Sequence, residues 1–213
     1  MDFKTLLKII PNIVEQDLFG SISHDKLSPP ERKAIMENLI LPDHNPRKAA
    51  VLMLLYPKEN DLMHLVLIIR NTYAGVHSSQ IAFPGGKVET FDASYEATAL
   101  RETYEEIGIH PDVVNVIKAF TKVYVPPSNF MIYPFLGYTD HELSFTPDPR
   151  EVTGIIEVPV AHLLDDKNIT LQNMSTSYMQ DIDVPVFNIE GKIIWGATAM
   201  ILSELKDVLN KLY

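Results

Sequence analysis

A glycine turn set just ahead of a carboxylate-bearing helix constrains this chain more than any other stretch. Phe83-Pro84-Gly85-Gly86-Lys87 is followed, after a short gap, by Arg101-Glu102-Thr103-Tyr104-Glu105-Glu106-Ile107-Gly108. Glu102, Glu105 and Glu106 stand at i, i+3 and i+4, so helical periodicity puts them on one face. A lone cluster of this kind is usually a solvated face. Here the context argues otherwise. Like charges at this spacing destabilise an isolated helix by roughly 0.2–0.5 kcal/mol, and no lysine follows within the turn to offset them. Arg101 is the neighbouring cation, and its planar fork suits it to hold carboxylates. Oxygen ligands this close together suit Mg²⁺ or Mn²⁺, hard ions that also prefer phosphate oxygens. The paired glycines permit backbone geometry that other residues resist. The combination points to metal-assisted chemistry on a phosphorylated substrate.

The remaining chain reads as the scaffold for that turn and helix. Phe3, Leu6, Leu7 and Ile10 keep helical spacing, and Ser28-Pro29-Pro30-Glu31 reads as a second helix start, with Ile35 and Leu39 facing inward. This lead-in, residues 1–47, reads as packing or homodimer surface rather than active site. Ala49–Tyr56 and Leu62–Ile69 are apolar runs separated by a charged turn, which predicts a hairpin. A strand ending near Phe83 leads into the glycine turn, and the carboxylate helix spans about Ala93 to Ile107, with Ala97, Leu100 and Tyr104 on its other side. Further strands are expected over Val113–Val125, Met131–Tyr138, Val152–Val158, Val184–Asn188 and Lys192–Trp195. The last helix begins near Ala197 and carries Ile201, Leu205, Val208 and Leu212 in one stripe. No repeat or linker divides the chain. Residues 1–213 therefore read as one domain of the α+β class, a mixed sheet with helices packed over it.

Charge and composition narrow the partners. A formal net charge of -10 argues against nucleic acid and anionic membranes, so an anionic substrate needs a metal or a local cation. The absence of cysteine excludes disulfides, thiolate metal sites and thiol catalysis, and it fits a cytoplasmic protein. The opening MDFKTLLKIIPNIVEQ lacks the apolar core of a secretory signal, and no apolar run approaches transmembrane length. The histidines form no His-x-x-x-His pair, which argues against zinc.

The segment FPGGKVETFDASYEATALRETYEEIGI resembles the Nudix box of nucleoside-diphosphate-linked hydrolases, over about residues 86–108. Gly86 matches its first glycine, Arg101-Glu102 its Arg-Glu pair, Glu105-Glu106 its paired glutamates and Gly108 its closing glycine. Asp92 stands where the pattern usually has glutamate, and the spacer from Asp92 to Arg101 is one residue longer than the general pattern; Asp92 reads as a helix cap at least as well as a box member. The resemblance implies an α/β/α sandwich and a hydrolase. It implies Mg²⁺ or Mn²⁺ on Glu102, Glu105 and Glu106, with Glu102, Glu105 and Arg101 serving catalysis.

Three flanking segments are similar to the coenzyme A diphosphatase branch of that family. In LVLIIRNTYAGVHSSQIAFPGG the matching residues are Arg70, His77, Gln80, Phe83 and Pro84; in TPDPREVTGIIEVPVAHLLD they are Glu151 and Val152; in IIWGATAMIL they are Trp195, Gly196, Thr198 and Ala199. The branch usually has arginine at Gly75, glycine at Ser79 and serine at Asn71, and the missing guanidinium bears on the substrate more than on the reaction. This resemblance implies substrate contacts from Arg70, His77, Gln80, Gly85, Gly86 and Lys87. It implies a coenzyme A-type substrate cut to 4′-phosphopantetheine and adenosine 3′,5′-bisphosphate. Glu151, at a strand start beyond a proline-rich loop, reads as an added ligand or as a general base. Trp195 reads as a core anchor, and Tyr124 and Phe130, flanking the Pro126–Asn129 loop, as pocket or core. Two other readings stay open. One is a Nudix pyrophosphatase acting on ADP-ribose, NADH, a nucleotide sugar or a nucleoside triphosphate. The other is a non-catalytic ligand sensor, against which the intact Arg-Glu and Glu-Glu pairs argue.

Overall fold

The computed structural model describes residues 1–38, 45–71, 80–176 and 180–212; Leu39, Gly75, His77 and Ser79, all singled out by the sequence, lie outside them. Helices α1 (Phe3–Glu15), α2 (Ser21–His24) and α3 (Pro30–Asn38) come first. Strands β1 (Arg47–Pro57), β2 (Met63–Arg70), β3 (Ile81–Ala82) and β4 (Gly85–Lys87) lead to helix α4 (Tyr95–Ile107). Strands β5 (Asn115–Ala119), β6 (Val123–Val125), β7 (Phe130–Tyr138) and β8 (Val152–Pro159) precede helix α5 (Val160–Leu164). Strands β9 (Ile169–Met174), β10 (Ile182–Ile189) and β11 (Lys192–Ile194) and helix α6 (Gly196–Leu212) complete the order.

Strand β1 is the hub of a mixed sheet. It runs antiparallel to β2 through Leu55↔Leu65 and antiparallel to β4 through Ala50↔Gly86. It runs parallel to β7 from Arg47↔Phe130 to Leu55↔Tyr138. Strands β3 and β8 join β2, and β5 and β6 join β7, while β9, β10 and β11 form a separate antiparallel sheet. A strand covered on both faces requires a continuous apolar run rather than alternation, and β1 has one. Leu52, Leu54 and Tyr56 pack with Ala99 and Ile107 of α4 on one side. Met53 and Leu55 join Leu6 and Ile13 of α1 and Leu202, Leu205 and Leu209 of α6 on the other. Helices thus sandwich the sheet, as expected.

Several local expectations are corrected. Leu7 is exposed, and α1 buries Leu6, Ile9 and Ile13 instead. Val113–Val125 is not one strand: the chain leaves the sheet between β5 and β6, where Phe120 enters the core and Thr121 binds Glu204. Strand β9 escapes sequence patterning because its residues are mostly exposed. Helix α4 is capped by Ser94, whose Oγ accepts from the Ala97 N–H at 3.0 Å, so Asp92 is not its cap. Its buried residues are Thr98, Ala99, Thr103, Glu106 and Ile107, and Tyr104 faces outward.

The lead-in is tied to α6 by a buried polar network. Glu204, fully shielded from solvent, accepts from Gly20 N at 2.6 Å, Thr121 Oγ1 at 2.7 Å and Thr121 N at 3.0 Å, with His24 Nε2 at 3.5 Å. Ser203 Oγ donates to the Ser23 carbonyl at 2.7 Å, and Lys26 pairs with Asp207 at 2.7 Å. Burial pushes the Glu204 carboxyl up, but the His24, Thr121 and Gly20 contacts outweigh it and hold the group below its ordinary range.

Candidate active site

The site forms where β4 pairs with β1 beneath α4. Gly85 adopts φ +148°, and a Cβ there would lie 2.4 Å from Ala50 O and 2.6 Å from Val51 Cα, so this strand pairing admits only glycine. At Gly86 a Cβ would lie 2.4 Å from Glu102 Oε2; the bare backbone leaves that space to the carboxylate. The Gly85 N–H donates to Glu106 Oε2 at 2.8 Å. Arg70, at the end of β2, donates from Nη1 to Gly85 O at 3.2 Å and stands 3.1 Å from Glu106 Oε1. Arg101 is therefore joined by a second cation at the cluster.

Three carboxylates converge: Glu102 and Glu106 of the expected trio, joined by Glu151, the expected added ligand or base, and not by Glu105. Oxygen atoms of Glu102, Glu106 and Glu151 all lie within 4.8 Å of one another. Glu105 is half exposed and accepts from Arg101 Nη1 at 2.8 Å. The reason is helical geometry. Residues i and i+4 nearly eclipse, whereas successive residues diverge by about 100°, so Glu106 aligns with Glu102 and Glu105 swings away. Glu151 takes the third place through a relay of backbone bonds. Thr146 N donates to Ile107 O at 2.9 Å, Asp148 N to Glu106 O at 3.0 Å and Glu151 N to Asp148 O at 3.0 Å. Asn71, in the position where the branch usually has serine, clamps the same segment. Its backbone N–H donates to Glu151 O at 2.7 Å, and its Nδ2 to Pro149 O and Arg150 O, both at 3.1 Å.

Arg101 fixes the outer edge of the cluster. Its Nε and Nη2 grip Asp92 at 2.8 and 3.0 Å, its Nη2 donates to Lys87 O at 3.1 Å, and its Nη1 lies 2.8 Å from Glu102 Oε1. The Asp92 carboxyl is held well below the usual range, chiefly by the Arg101 hydrogen bonds. Asp92 also accepts from Glu89 N at 2.9 Å and Thr98 Oγ1 at 2.8 Å. It belongs to the site as the anchor of Arg101.

The electrostatics suit a cation. Burial, with smaller pushes from the neighbouring Glu102 and Glu151, raises Glu106 to about 7 against the opposing Arg70 charge and Gly85 N–H. Burial likewise raises Glu102, against Arg101. Glu106 Oε1 is buried with no hydrogen-bond partner among the described residues. An all-oxygen donor set whose buried Glu106 Oε1 meets the Arg70 charge without hydrogen-bond geometry fits Mg²⁺ or Mn²⁺.

A cavity of about 360 Å³ adjoins the glycine turn. Arg70, Gln80, Gly85, Gly86 and Lys87 line it, so the described residues among the expected substrate contacts share one wall. Phe83, Val125, Phe130, Ile132, Trp195 and Met200 make it largely apolar. Trp195 is thus a half-buried cavity wall rather than a core anchor. Phe130 also lines the cavity, while Tyr124 supports the loop through a 2.9 Å bond to Asn129 Oδ1. Pro29, Glu31 and Arg32 also line it, so part of the lead-in, read from the sequence as packing or homodimer surface, faces this cavity. The sequence signal was present at Glu31, in the helix-start motif, but nothing in its spacing tied it to the glycine turn.

The chain matches the NUDIX domain family over residues 46–177. It is 33% identical over 172 residues to the uncharacterized Nudix hydrolase NudL of Enterobacter sp. (strain 638), covering 76% of this chain and 82% of that one. It is 31% identical over 170 residues to Nudix hydrolase 22, chloroplastic, of Arabidopsis thaliana, covering 77% of this chain and 56% of that protein's length. In fold it resembles the Nudix hydrolase RenU of M. smegmatis, with a TM-score of 0.54 at 14% identity over 79% of this chain and 88% of that one. A MutT/nudix family protein from Enterococcus faecalis gives 0.51 at 17% identity, over 92% and 76%. No helix among the described residues is long and apolar enough to cross a membrane. With the domain matched across the glycine turn, α4 and Glu151 together, the chain belongs to the Nudix hydrolase family, enzymes that cleave phosphorus-containing anhydrides.

Proposed function

We propose that this protein hydrolyses coenzyme A or a derivative, using Mg²⁺ or Mn²⁺, to 4′-phosphopantetheine and adenosine 3′,5′-bisphosphate. The observation that carries the reading is the junction of two unlike surfaces. The Glu102, Glu106 and Glu151 carboxylates converge beside Gly85 and Gly86, and an apolar cavity opens from the same glycines. A substrate with a charged diphosphate joined to a less polar arm matches that junction. The similarity of the segments around Arg70, Glu151 and Trp195 to the coenzyme A diphosphatase branch supports the same choice.

Glu102, Glu106 and Glu151 would hold the metal. A divalent ion there neutralises phosphate charge and lowers the pKa of a bound water. Arg101 holds Glu102 in place from Asp92, and Glu105 holds Arg101 from the solvent side. Arg70 balances the buried Glu106 charge. Glu151 is the exposed member of the three, so it is the carboxylate suited to take the proton of the attacking water and release it to solvent. Water adds to phosphorus and one anhydride P–O bond breaks.

The test is digestion of coenzyme A, dephospho-coenzyme A, ADP-ribose and NADH in ¹⁸O-labelled water, with Mg²⁺ and with Mn²⁺, followed by mass analysis of the products. Label in phosphopantetheine or in the bisphosphate, with coenzyme A preferred, supports the proposal. Preference for ADP-ribose removes the coenzyme A reading and keeps anhydride hydrolysis. Tight binding without turnover across the panel would make the protein a sensor.

A further inference from the structure

We infer that α3 carries an amide-recognition pair, Glu31 and Arg32, that reads the arm of the substrate within the cavity. The inference rests on the coenzyme A reading for the identity of that arm, and on the cavity itself for its place. Both residues precede the family-matched stretch, which begins at residue 46. Both line the cavity that also takes in Gly85, Gly86 and Trp195.

Among the described residues, one oxygen of the Glu31 carboxylate is bonded and the other is not. Its Oε1 accepts from Thr176 Oγ1 at 2.6 Å, which ties α3 to the segment after β9. Its Oε2 is buried and has no hydrogen-bond partner among the described residues. A buried acceptor beside apolar walls is costly to leave unpaired, and a ligand donor removes that cost. A purely structural tether would need only the first oxygen. The adjoining residue, Arg32, lines the same cavity and carries a guanidinium. A carboxylate acceptor next to a guanidinium donor complements the N–H and C=O of a secondary amide. The remaining walls are apolar, so the ligand class is a mainly aliphatic arm bearing an amide. Pantetheine has that composition. ADP-ribose lacks both features.

The experiment uses the full chain and two variants, Glu31→Gln and Glu31→Ala. Pantetheine is titrated calorimetrically into each, and kcat/KM is measured for coenzyme A and ADP-ribose. Both variants are expected to weaken pantetheine binding about tenfold or more, the scale of one lost hydrogen bond to a charged group. The coenzyme A to ADP-ribose ratio of kcat/KM should fall by a similar factor. Glu31→Gln is nearly isosteric and carries the test if Glu31→Ala does not fold. Failure of pantetheine to bind the native protein, equal binding by all three proteins, or an unchanged substrate ratio overturns the inference. If coenzyme A is not hydrolysed yet pantetheine affinity still follows Glu31, the functional proposal fails and the α3 assignment stands.

Discussion

Glu106 on α4 and Glu204 on α6 are both fully shielded from solvent, yet their surroundings are opposite. Glu204 receives hydrogen bonds on both oxygens from Gly20 and Thr121, with His24 close by, and is held below its ordinary carboxylate range. Glu106 receives one N–H, from Gly85, and keeps an oxygen without a hydrogen bond, near two other carboxylates and Arg70. Burial and like charge raise it to about 7. A carboxylate whose contacts are complete serves the architecture. One held among its own kind, with Arg70 as its countercharge and an oxygen without hydrogen-bond geometry among the described residues, is suited to a cation. The distinction lies in hydrogen-bond completeness, because exposure is the same at both.

The sharpest way to break this contrast is to neutralise each in turn. Glu106→Gln is expected to lower kcat by ~10³–10⁴-fold, about 4–5 kcal/mol of transition-state stabilisation, at saturating Mg²⁺ with the circular dichroism spectrum unchanged. A loss of less than about tenfold would place Glu106 with Glu204 as a structural group. Glu204→Gln is expected to cost roughly 3–4 kcal/mol in urea unfolding, because an amide N–H₂ would face a backbone donor, with kcat of the folded protein little changed.

Acidity sharpens the comparison further. Below the ordinary value of 4.5, Glu106 is protonated whether folded or unfolded. Between 4.5 and about 7 the unfolded chain has released the proton and the folded protein retains it. Stability without metal therefore falls as pH rises through that window, by up to about 3 kcal/mol. Urea unfolding in EDTA at pH 5 and pH 8, taken as native protein minus Glu106→Gln, isolates this slope; a flat difference would refute it. Glu204 has the opposite sign. Its stabilisation is present above the ordinary carboxylate value and is lost as pH falls through its depressed pKa.

The smallest expected effect separates the two glycines. Gly86→Ala displaces only the Glu102 carboxylate and should lower kcat/KM by ~10–30-fold, about 1.4–2 kcal/mol, with little change in melting temperature. Gly85→Ala drives a Cβ into the β1 backbone and should lower the melting temperature far more. Equal melting temperatures for the two variants would contradict the close approach of Gly85 to the β1 backbone.

Most of the sheet was legible because β1 and β2 are apolar on both faces and their runs stand out without alternation. Strand β9 was not, since its exposed edge position leaves no hydrophobic signature. At the site, the glycines, Arg101, Glu102 and Glu106 follow from local spacing. Glu151 already reads from the sequence as an added ligand or base, but its convergence with Glu102 and Glu106, while Glu105 turns outward, depends on tertiary bonds that no spacing reveals. The same limit hid Arg70 beside Glu106, and Glu31 and Arg32 in the cavity wall.

One feature of α4 reaches beyond its own length. The carbonyls of Glu106 and Ile107, which a helix end would otherwise leave to water, receive Asp148 and Thr146. The polypeptide thus leaves the helix, runs through β5, β6 and β7, and is re-registered at the point of departure. Changing the length of the turns within the excursion, with β5, β6 and β7 kept in register, is expected to leave the distant acid where it is. Evolution and protein engineers alike are free to remodel the excursion's turns for new specificities without disturbing the hydrolytic centre.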